Sequence, residues 1–296
     1  ARAIAGGVAG LVLMENAGTG LAQVIESEFG DFKEEYSIVG LAGSGNNGCD
    51  TLIALQKLAS IGWQVQALVY KRSVKTDPFC QVLTADGGKV YPLTNESITE
   101  AVKGQIILLD GLIGTGFTPP FRDELKAYLR HLNTRIEENT DSTITVAVDC
   151  PSGMDCEDGN FDPDGIPADM TVCMAAVKRG QLVPLAWQRC GEVVVVPIGL
   201  EEIMPQWSDN LPVVLTPEIV SNMLPPRKID GHKGVFGTAM VVGGSINYTG
   251  APLLAGQAAA RSGAGLVQMC IPARLHPILA GHFPDAVWLL LPDDNG

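Results

Sequence analysis

The sequence predicts an α/β fold in which helices cover both faces of a mostly parallel sheet. Six apolar, strand-like runs recur along the chain, and most are separated by segments long enough for a crossover helix. The runs are residues 37–41, 65–70, 105–110, 143–149, 171–176 and 192–197. A glycine-rich loop at residues 43–50 follows the first run and precedes a helical pattern at residues 51–60. A strand, a glycine loop and a helix in this order open a nucleotide-binding βαβ unit.

The glycine loop leaves two interpretations open. Gly43, Gly45 and Gly48 satisfy the pattern G-x-G-x-x-G, whose glycines permit a tight turn and a close approach to a pyrophosphate. Asp50 at the expected helix start is unusual for a phosphate site, because a carboxylate competes with an anion for the positive helix end. Asp50 and the two asparagines of the loop suit hydroxyls, amides or a cation better. Alternatively, Asp50 caps the helix, and the asparagines only supply left-handed turn conformations.

Composition limits the partners of this protein. The chain has 296 residues, a formal net charge of −13 and a sequence pI of about 4.7. This charge disfavours nucleic acid or an anionic membrane as partner, and no apolar run reaches the roughly 18 residues of a membrane span. The seven cysteines contain no C-x-x-C pair, which indicates reduced thiols rather than disulfides or a zinc site. We therefore expect a cytoplasmic protein that binds a small molecule.

Three aspartates lie where strand-like runs or the glycine loop end. Asp110 and Asp149 close two apolar runs, and Asp50 follows the glycines. In an open α/β sheet the ligand crevice lies outside the carboxyl ends of the strands, so these loops should converge there. Carboxylates in one crevice repel one another unless a cation, a bound proton or a hydrogen-bonded ligand relieves the repulsion. Oxygen ligands from Asp, Asn and Ser suit an alkali or alkaline-earth ion, although a single strand-end aspartate can also be a turn former.

Beyond about residue 201 the character of the sequence changes. Residues 201–226 are rich in proline and indicate a linker. A second pattern follows, with a strand at residues 238–242, a helix of small residues at 253–262 and a strand at 266–271. Only about the first 65 residues of this unit are present, too few for a domain with a large parallel sheet. We expect a truncated second domain, and a trimmed N-terminus because the chain opens without methionine.

Five ordered motifs in the first 200 residues resemble the NAD(P)H-hydrate epimerase family. They are LMENAG at residues 13–18, NNGCD at 46–50, Asp110 with GTG at 114–116, VDCPSGMD at 148–155 and KRG at 178–180. The segment at residues 232–265 is similar to the opening of the NAD(P)H-hydrate dehydratase family. The resemblance implies a Rossmann-like three-layer sandwich, the epimerase domain, over residues 1–215. It also implies the first part of a ribokinase-like dehydratase domain over residues 216–296.

The resemblance further implies a function and its residues. The chain would epimerise the R and S forms of hydrated NADH and NADPH at C6. A parent protein would also dehydrate the S form with ADP or ATP and Mg²⁺. Asp149 would act at the reacting ring as general acid and base. Three residues would ligate K⁺, namely Asn47, Asp110 and Ser152. The residues implied to hold the substrate are Asn46, Asn47, Gly48, Cys49, Asp50, Gly114, Thr115, Gly116, Phe117, Thr118, Pro119, Pro120, Asp149 and, in the second domain, Ala251.

The expected partners are the small-molecule substrate, hydrated NADH or NADPH, and further copies or segments of this protein. We expect either a homo-oligomer or completion of the dehydratase by a further C-terminal segment, because exposed strand edges invite pairing.

One rival interpretation is an NADP-dependent oxidoreductase. It would use the G-x-G-x-x-G pattern together with Lys71 and Arg72, which lie about 20 residues past the loop. NAD enzymes carry an acidic residue at that place, so two basic residues would favour NADP. The chain contains no Tyr-x-x-x-Lys pattern to support hydride transfer.

A second rival is a catalytically silent binding module on the same fold. Cys49 and Thr51 stand where the resembling family usually has glycine, which tightens the loop. The intact Asp110, Asp149 and Ser152 argue against this interpretation.

Overall fold

The computed structural model describes residues 9–200, 213, 215–226 and 229–293. The chain divides into two compact units, Ala1–Leu211 and Pro212–Gly296, and each is described by itself. The predicted linker at residues 201–226 lies partly outside the described residues, as does the start of the chain at residues 1–8. None of the helices within the described ranges is long and apolar enough to cross a membrane.

The first unit alternates strands with helices. The helices are α1 (Gly10–Phe29), α2 (Asn46–Ser60), α3 (Pro78–Ala85), α4 (Asn95–Ala101), α5 (Asp123–Glu138) and α6 (Pro184–Trp187). The strands are β1 (Ser37–Ala42), β2 (Val65–Val69), β3 (Lys89–Pro92), β4 (Ile106–Gly111), β5 (Thr143–Val148), β6 (Met170–Met174) and β7 (Glu192–Val196). All six predicted strands are present, with ends that differ from the predicted ones by no more than two residues.

The sheet of the first unit is parallel throughout, which confirms the predicted α/β architecture. Its strand order is β3-β2-β1-β4-β5-β6-β7. The chain first builds outwards from β1 to β3 and then returns to the other side of β1 with β4. The β1–β4 pair is therefore a topological switch point, where the loops that follow the two strands diverge and leave a crevice.

A hydrophobic core lies on each face of this sheet. On one face the buried residues include Leu21 of α1 and Leu55 of α2. On the other face they include Ile98 of α4 and Leu129 of α5. The strands contribute to both cores because successive side chains point to opposite faces, which explains why their sequences are continuously apolar. Each fully buried leucine or isoleucine contributes about 1.5–3 kcal/mol.

The helix that follows the glycine loop begins earlier than the sequence predicts. The helical pattern starts at residue 51, whereas α2 begins at Asn46 after an N-cap at Gly45. The predicted start is wrong because Gly48 disfavours helix by propensity alone, while tertiary packing demands glycine at this position. A side chain on Gly48 would lie 2.0 Å from the carbonyl oxygen of Gly43. Asp50 is therefore inside the helix, and its interpretation as the helix cap is also wrong.

The second unit is a smaller parallel sheet with helices. Its helices are α7 (Pro217–Met223), α8 (Gly250–Arg261) and α9 (His276–Leu279), and its strands are β8 (Thr238–Val242), β9 (Leu266–Pro272) and β10 (Val287–Leu291). The strand order is β10-β9-β8. One face of this sheet buries Met269 against Leu253 of α8 and Phe283. The opposite face leaves apolar side chains exposed, namely Met240, Val242, Val287 and Leu289.

Candidate functional site

A cavity of about 940 Å³ opens at the β1–β4 switch point, outside the carboxyl ends of the strands. Its walls come from the start of α1, the glycine loop, the first turns of α2, the end of β2 and the loops after β4 and β5. The implied substrate residues that line it are Asn46, Asn47, Asp50, Gly114, Thr115, Gly116, Phe117, Thr118, Pro120 and Asp149. The structure thus brings three separate sequence motifs together around one space.

Four implied residues do not line this cavity. Gly48, Cys49 and Pro119 are outside its walls, although their chain neighbours belong to them. Ala251 lies in the second unit, where it is exposed in the first turn of α8.

The glycines of the loop serve close packing as well as ligand approach. A side chain on Gly43 would lie 1.9 Å from the carbonyl oxygen of Leu112. Glycine is therefore required at positions 43 and 48, because neighbouring backbone lies too close to leave room for a side chain. Gly45 faces open space and lines the cavity, so the expected close approach of a ligand fits Gly45.

Arg72 holds the glycine loop from outside the cavity. Its guanidinium donates to the carbonyl oxygens of Gly43 and Gly45, each at 3.1 Å, and lies 3.2 Å from the sulfur of Cys49. It also pairs at 2.6 Å with Asp77, the N-cap of α3. Only 6% of the Arg72 side chain is exposed. Its charge is therefore engaged by the protein itself.

Asp149 follows β5 in a left-handed backbone conformation, with φ of 68°. Non-glycine residues rarely adopt this conformation, so several contacts must hold it. The backbone N–H donates to the carbonyl of Val172 at 2.8 Å, and the backbone carbonyl accepts from Gln181 at 2.9 Å. The carboxylate accepts from the N–H of Met174 at 2.8 Å and pairs with the ammonium of Lys178. Asp149 is thus a fixed carboxylate on the cavity wall.

Asp50 is the second carboxyl group of the cavity. It is buried, and its Oδ1 atom has no hydrogen-bond partner among the described residues. Burial, and then the negative charge of Asp149, raise the pKa of Asp50 to about 7. With this pKa, Asp50 is protonated in roughly half of the molecules at neutral pH, whereas Asp149 has a cation beside it. A proton donor next to a charged carboxylate is an arrangement suited to acid–base chemistry.

The three implied potassium ligands form one connected group. The hydroxyl of Ser152 donates to Asp110 at 2.6 Å, and the backbone N–H of Ser152 donates to the same carboxylate at 2.7 Å. The N–H of Ile113 donates to the Ser152 hydroxyl at 2.9 Å, and the carbonyl of Ile113 accepts from the Asn47 amide at 3.2 Å. One backbone residue thus joins the three side chains.

The composition of this group fits a potassium ion. Asp110 is fully buried, burial raises its pKa to about 6, and no cationic side chain in the described part of the chain pairs with it. A buried carboxylate favours a nearby cation, and oxygen atoms from Asp, Ser and Asn suit an alkali ion. Across the described ranges no cluster of three or more His, Cys, Asp or Glu side chains is arranged to hold a metal. The three implied potassium ligands are not a cluster of that kind, because Asp110 is the single carboxylate among them.

Several residues at this cavity are absent from the site residues that the resemblance implies. Tyr70, Lys71 and Arg122 line the cavity, and Lys178 pairs with Asp149. Lys71 carried a signal, since it lies about 20 residues past the glycine loop, where such folds read the ribose. Lys178 belongs to the KRG motif of the resemblance, but nothing in the sequence pairs it with Asp149, which lies 29 residues away in the loop after another strand.

The fold and the cavity define an α/β protein with a ligand crevice at the switch point of its parallel sheet. The chain belongs to the family described as YjeF-related protein N-terminus, whose model matches residues 10–180, more than half of the chain. The model of a second family, described as NAD(P)H-hydrate dehydratase, matches residues 239–294. The predicted resemblance to NAD(P)H-hydrate repair proteins is confirmed.

Relatives of known name agree with these matches. The chain is 33% identical over 310 residues to the bifunctional NAD(P)H-hydrate repair enzyme Nnr of Salinibacter ruber, covering 98% of this chain and 56% of that protein. It is 31% identical over 291 residues to the Nnr of Moorella thermoacetica, covering 96% and 54%. The chain thus spans about half the length of these curated relatives. The crystal structure of yeast ynu0 superposes with a TM-score of 0.50 at 25% identity, covering 57% of this chain and 72% of that one.

Proposed function

We propose that the first unit epimerises the R and S forms of hydrated NADH and NADPH at C6. The observation that carries the proposal is the cavity in which the fixed carboxylate of Asp149 lies close enough to Asp50 to raise its pKa. The relatives are named for NAD(P)H-hydrate repair. The dehydratase model matches the second unit, which supports assigning the epimerase step to the first unit.

The reaction needs a proton that is given and then taken back. The hydrate carries a hydroxyl at C6, beside ring nitrogen N1. Protonation of this hydroxyl lets the C6–O bond break and releases water, while the N1 lone pair forms an iminium-like ring cation. Water then adds to the opposite face of C6 and loses a proton. The hydroxyl changes face, and no electrons are transferred.

Asp149 and Asp50 together supply this proton. With a pKa of about 7, Asp50 can hold and release a proton near neutral pH, and the carboxylate of Asp149 is held in place by Lys178 and the N–H of Met174. We assign the proton transfers at the ring to Asp149: its carboxylate takes the proton of Asp50, passes it to the departing C6 hydroxyl, and afterwards takes a proton from the incoming water and returns it to Asp50. A positioned general acid–base group accelerates such a step by about 10²–10⁴-fold.

The size and lining of the cavity suit a dinucleotide. Small-molecule sites commonly measure about 300–1,000 Å³, and this cavity lies at the upper end of that range. The loop after β4 offers backbone at Gly114 and Gly116 and an aromatic surface at Phe117, whose ring lies 4.5 Å from that of Phe121. Asn46 adds a polar side chain to the cavity lining. These groups would hold the nucleotide while its ring faces Asp149.

Potassium would stabilise the site rather than take part in the proton transfers. Asn47, Asp110 and Ser152 would hold the ion, which would offset carboxylate charge and fix the loops after β1, β4 and β5.

The second unit would begin the dehydratase half of a longer protein. We propose that residues 216–296 form the first part of an ADP- or ATP-dependent NAD(P)H-hydrate dehydratase domain that uses Mg²⁺. Ala251 at the start of α8 would contact its substrate. A further segment or a second copy of the chain would complete that half.

A coupled assay tests the epimerase proposal. The R hydrate of NADH is mixed with an independent, S-specific, ATP-dependent dehydratase, and the return of NADH is followed by absorbance. Addition of this chain should speed the consumption of R well above its spontaneous rate. A rate unchanged by the chain would remove the epimerase assignment and favour a silent binding module. Oxidation of NADPH by the chain without the dehydratase would favour the oxidoreductase instead.

A further inference from the structure

Lys71 occupies a distinctive place in the cavity. It lies just past β2 (Val65–Val69) and lines the same cavity as Asp149. Its backbone is left-handed, with φ of 53°, which a non-glycine residue rarely adopts. Its ammonium lies 3.4 Å from the carboxylate of Glu124 and 5.0 Å from the ring centre of Tyr70. The Lys71 and Glu124 side chains are 48% and 61% exposed, so this ion pair contributes little and a more highly charged anion can displace it.

Arg122 adds a second cation to the cavity wall. It is exposed directly before α5 and lines the cavity. Within the described residues its guanidinium makes no hydrogen bond or ion pair. The neighbouring Arg72, by contrast, is buried and engaged with the glycine loop and Asp77. Among the described residues that line this cavity, Lys71 and Arg122 are therefore the two basic groups available to an anionic ligand.

The position of Lys71 identifies the part of the ligand that it would meet. In α/β folds of this type the residue about 20 positions past the glycine loop reads the adenosine ribose. An acidic residue there hydrogen-bonds the ribose 2′-hydroxyl, whereas a basic residue accommodates a 2′-phosphate. Strand β2 pairs in parallel with β1, so the loops that follow these two strands leave the sheet at the same edge. Lys71 lies in one loop and the glycine residues lie in the other, and both loops line the cavity.

We propose, on the basis of the proposed function, that Lys71 with Arg122 binds the 2′-phosphate of hydrated NADPH and makes this substrate preferred over hydrated NADH. The phosphate would replace Glu124 as the partner of the Lys71 ammonium. Lys71 is thus a specificity residue, and the chemistry at C6 does not involve it.

Equilibrium binding tests this assignment independently of turnover. The dissociation constants of NADPH and NADH, which share the nucleotide portion of the hydrates, are measured by calorimetry at low ionic strength. The unmutated chain should bind NADPH more tightly. Lys71→Gln should weaken NADPH about tenfold, as expected for loss of a charged hydrogen bond, and leave NADH within about twofold. Lys71→Arg should retain the preference, and the exposed Lys75→Gln should change neither constant.

Two results would overturn the assignment. Equal weakening of NADPH and NADH by Lys71→Gln would place Lys71 at the pyrophosphate that both ligands share. Equal affinity of the unmutated chain for both ligands would remove the preference altogether. Unchanged NADH binding by Lys71→Gln also shows that the variant is folded. A selective loss of NADPH binding in a chain without epimerase activity would support this inference while refuting the proposed function.

Discussion

The guanidinium of Arg72 lies 3.2 Å from the sulfur of Cys49, at a loop position where the resembling family usually has glycine. The same guanidinium donates to two loop carbonyls and pairs with Asp77. One buried cation therefore joins the glycine loop, the end of β2 and the start of α3. The thiol of Cys49 faces this cation and lies outside the cavity wall. The presence of cysteine where the resembling family usually has glycine therefore leaves the ligand space open.

Arg72→Met should destabilise the first unit by about 2–4 kcal/mol. The substitution leaves the largely buried Asp77 without its cation and two loop carbonyls without a donor. The measurement is the free energy of unfolding in urea. Arg130→Met is the matched control, because the Arg130 side chain is 64% exposed and its partner Asp164 keeps Lys126 as a second cation, so its loss should cost less than about 1 kcal/mol. Equal effects of the two substitutions would contradict the role given to Arg72.

Asp149→Asn should lower epimerase turnover by about 10²–10⁴-fold and leave the chain folded. Asparagine tolerates the left-handed backbone at this position and keeps the hydrogen bond from Met174, but it cannot accept or donate the proton. The measurement is the coupled assay together with a thermal unfolding curve. Asp141→Asn makes the same chemical change at an exposed carboxylate and should retain full activity. Near-normal turnover of Asp149→Asn would exclude Asp149 from the mechanism.

Much of the fold could be predicted because the strands are continuously apolar and regularly spaced. Strand β3 (Lys89–Pro92) escaped prediction because it is a short, mostly exposed edge strand without an apolar run. The early start of α2 escaped prediction because the need for glycine at position 48 comes from contact with Gly43, which local propensity cannot register.

The candidate site could be predicted only in part. Asp110 and Asp149 were visible at strand ends, and topology brings strand ends together. The pairing of Lys178 with Asp149 depends on the loop after β6, and the burial of Arg72 depends on α3. Neither contact can be predicted from a periodic pattern in the sequence.

Asp50 should make the stability of the chain depend on pH. Its ordinary pKa is 3.8, and burial raises it to about 7 in the folded state. Below about pH 4 the group is protonated in both states and has no effect on unfolding. As the pH rises from about 4 to 7, the unfolded state releases its proton first, so the free energy of unfolding falls; above about pH 7 the loss is complete.

Asp50→Asn should therefore be more stable than the unmutated chain at pH 8, with a difference that shrinks towards pH 5. Urea unfolding at several pH values in nucleotide-free buffer measures this difference. Asp141→Asn should follow the unmutated chain at every pH, because its carboxyl is exposed. A parallel pH profile for Asp50→Asn would contradict the raised pKa.

Asp110→Asn should raise the KM of epimerisation roughly tenfold and lower kcat by less than about threefold, because a templating ion organises the loops. Asparagine can still accept one hydrogen bond from Ser152, whereas alanine would leave both donors unpaired. The unmutated chain should show the same rise in KM when choline replaces potassium at constant ionic strength. Asp110→Asn should be insensitive to that exchange. Equal activity of the unmutated chain in both buffers would refute the ion site.

The exposed face of the second sheet should make the purified chain self-associate. The strand register places apolar side chains in two rows that run across the sheet. In one row Met240 of β8 and Val287 of β10 flank Gln268 of the central strand β9. In the other row Val242 and Leu289 flank Cys270. All four apolar side chains are 45–66% exposed, and β8 and β10 are open edges. Contiguous apolar surface and unpaired strand edges both favour association. Light scattering over a range of concentrations should show oligomers, and the double substitution Met240→Lys, Leu289→Lys should shift them towards monomer. Leu185→Lys, which adds charge at a 77% exposed leucine of the first unit, should not. A stable monomer of the unmutated chain at all concentrations would show that this face does not mediate self-association.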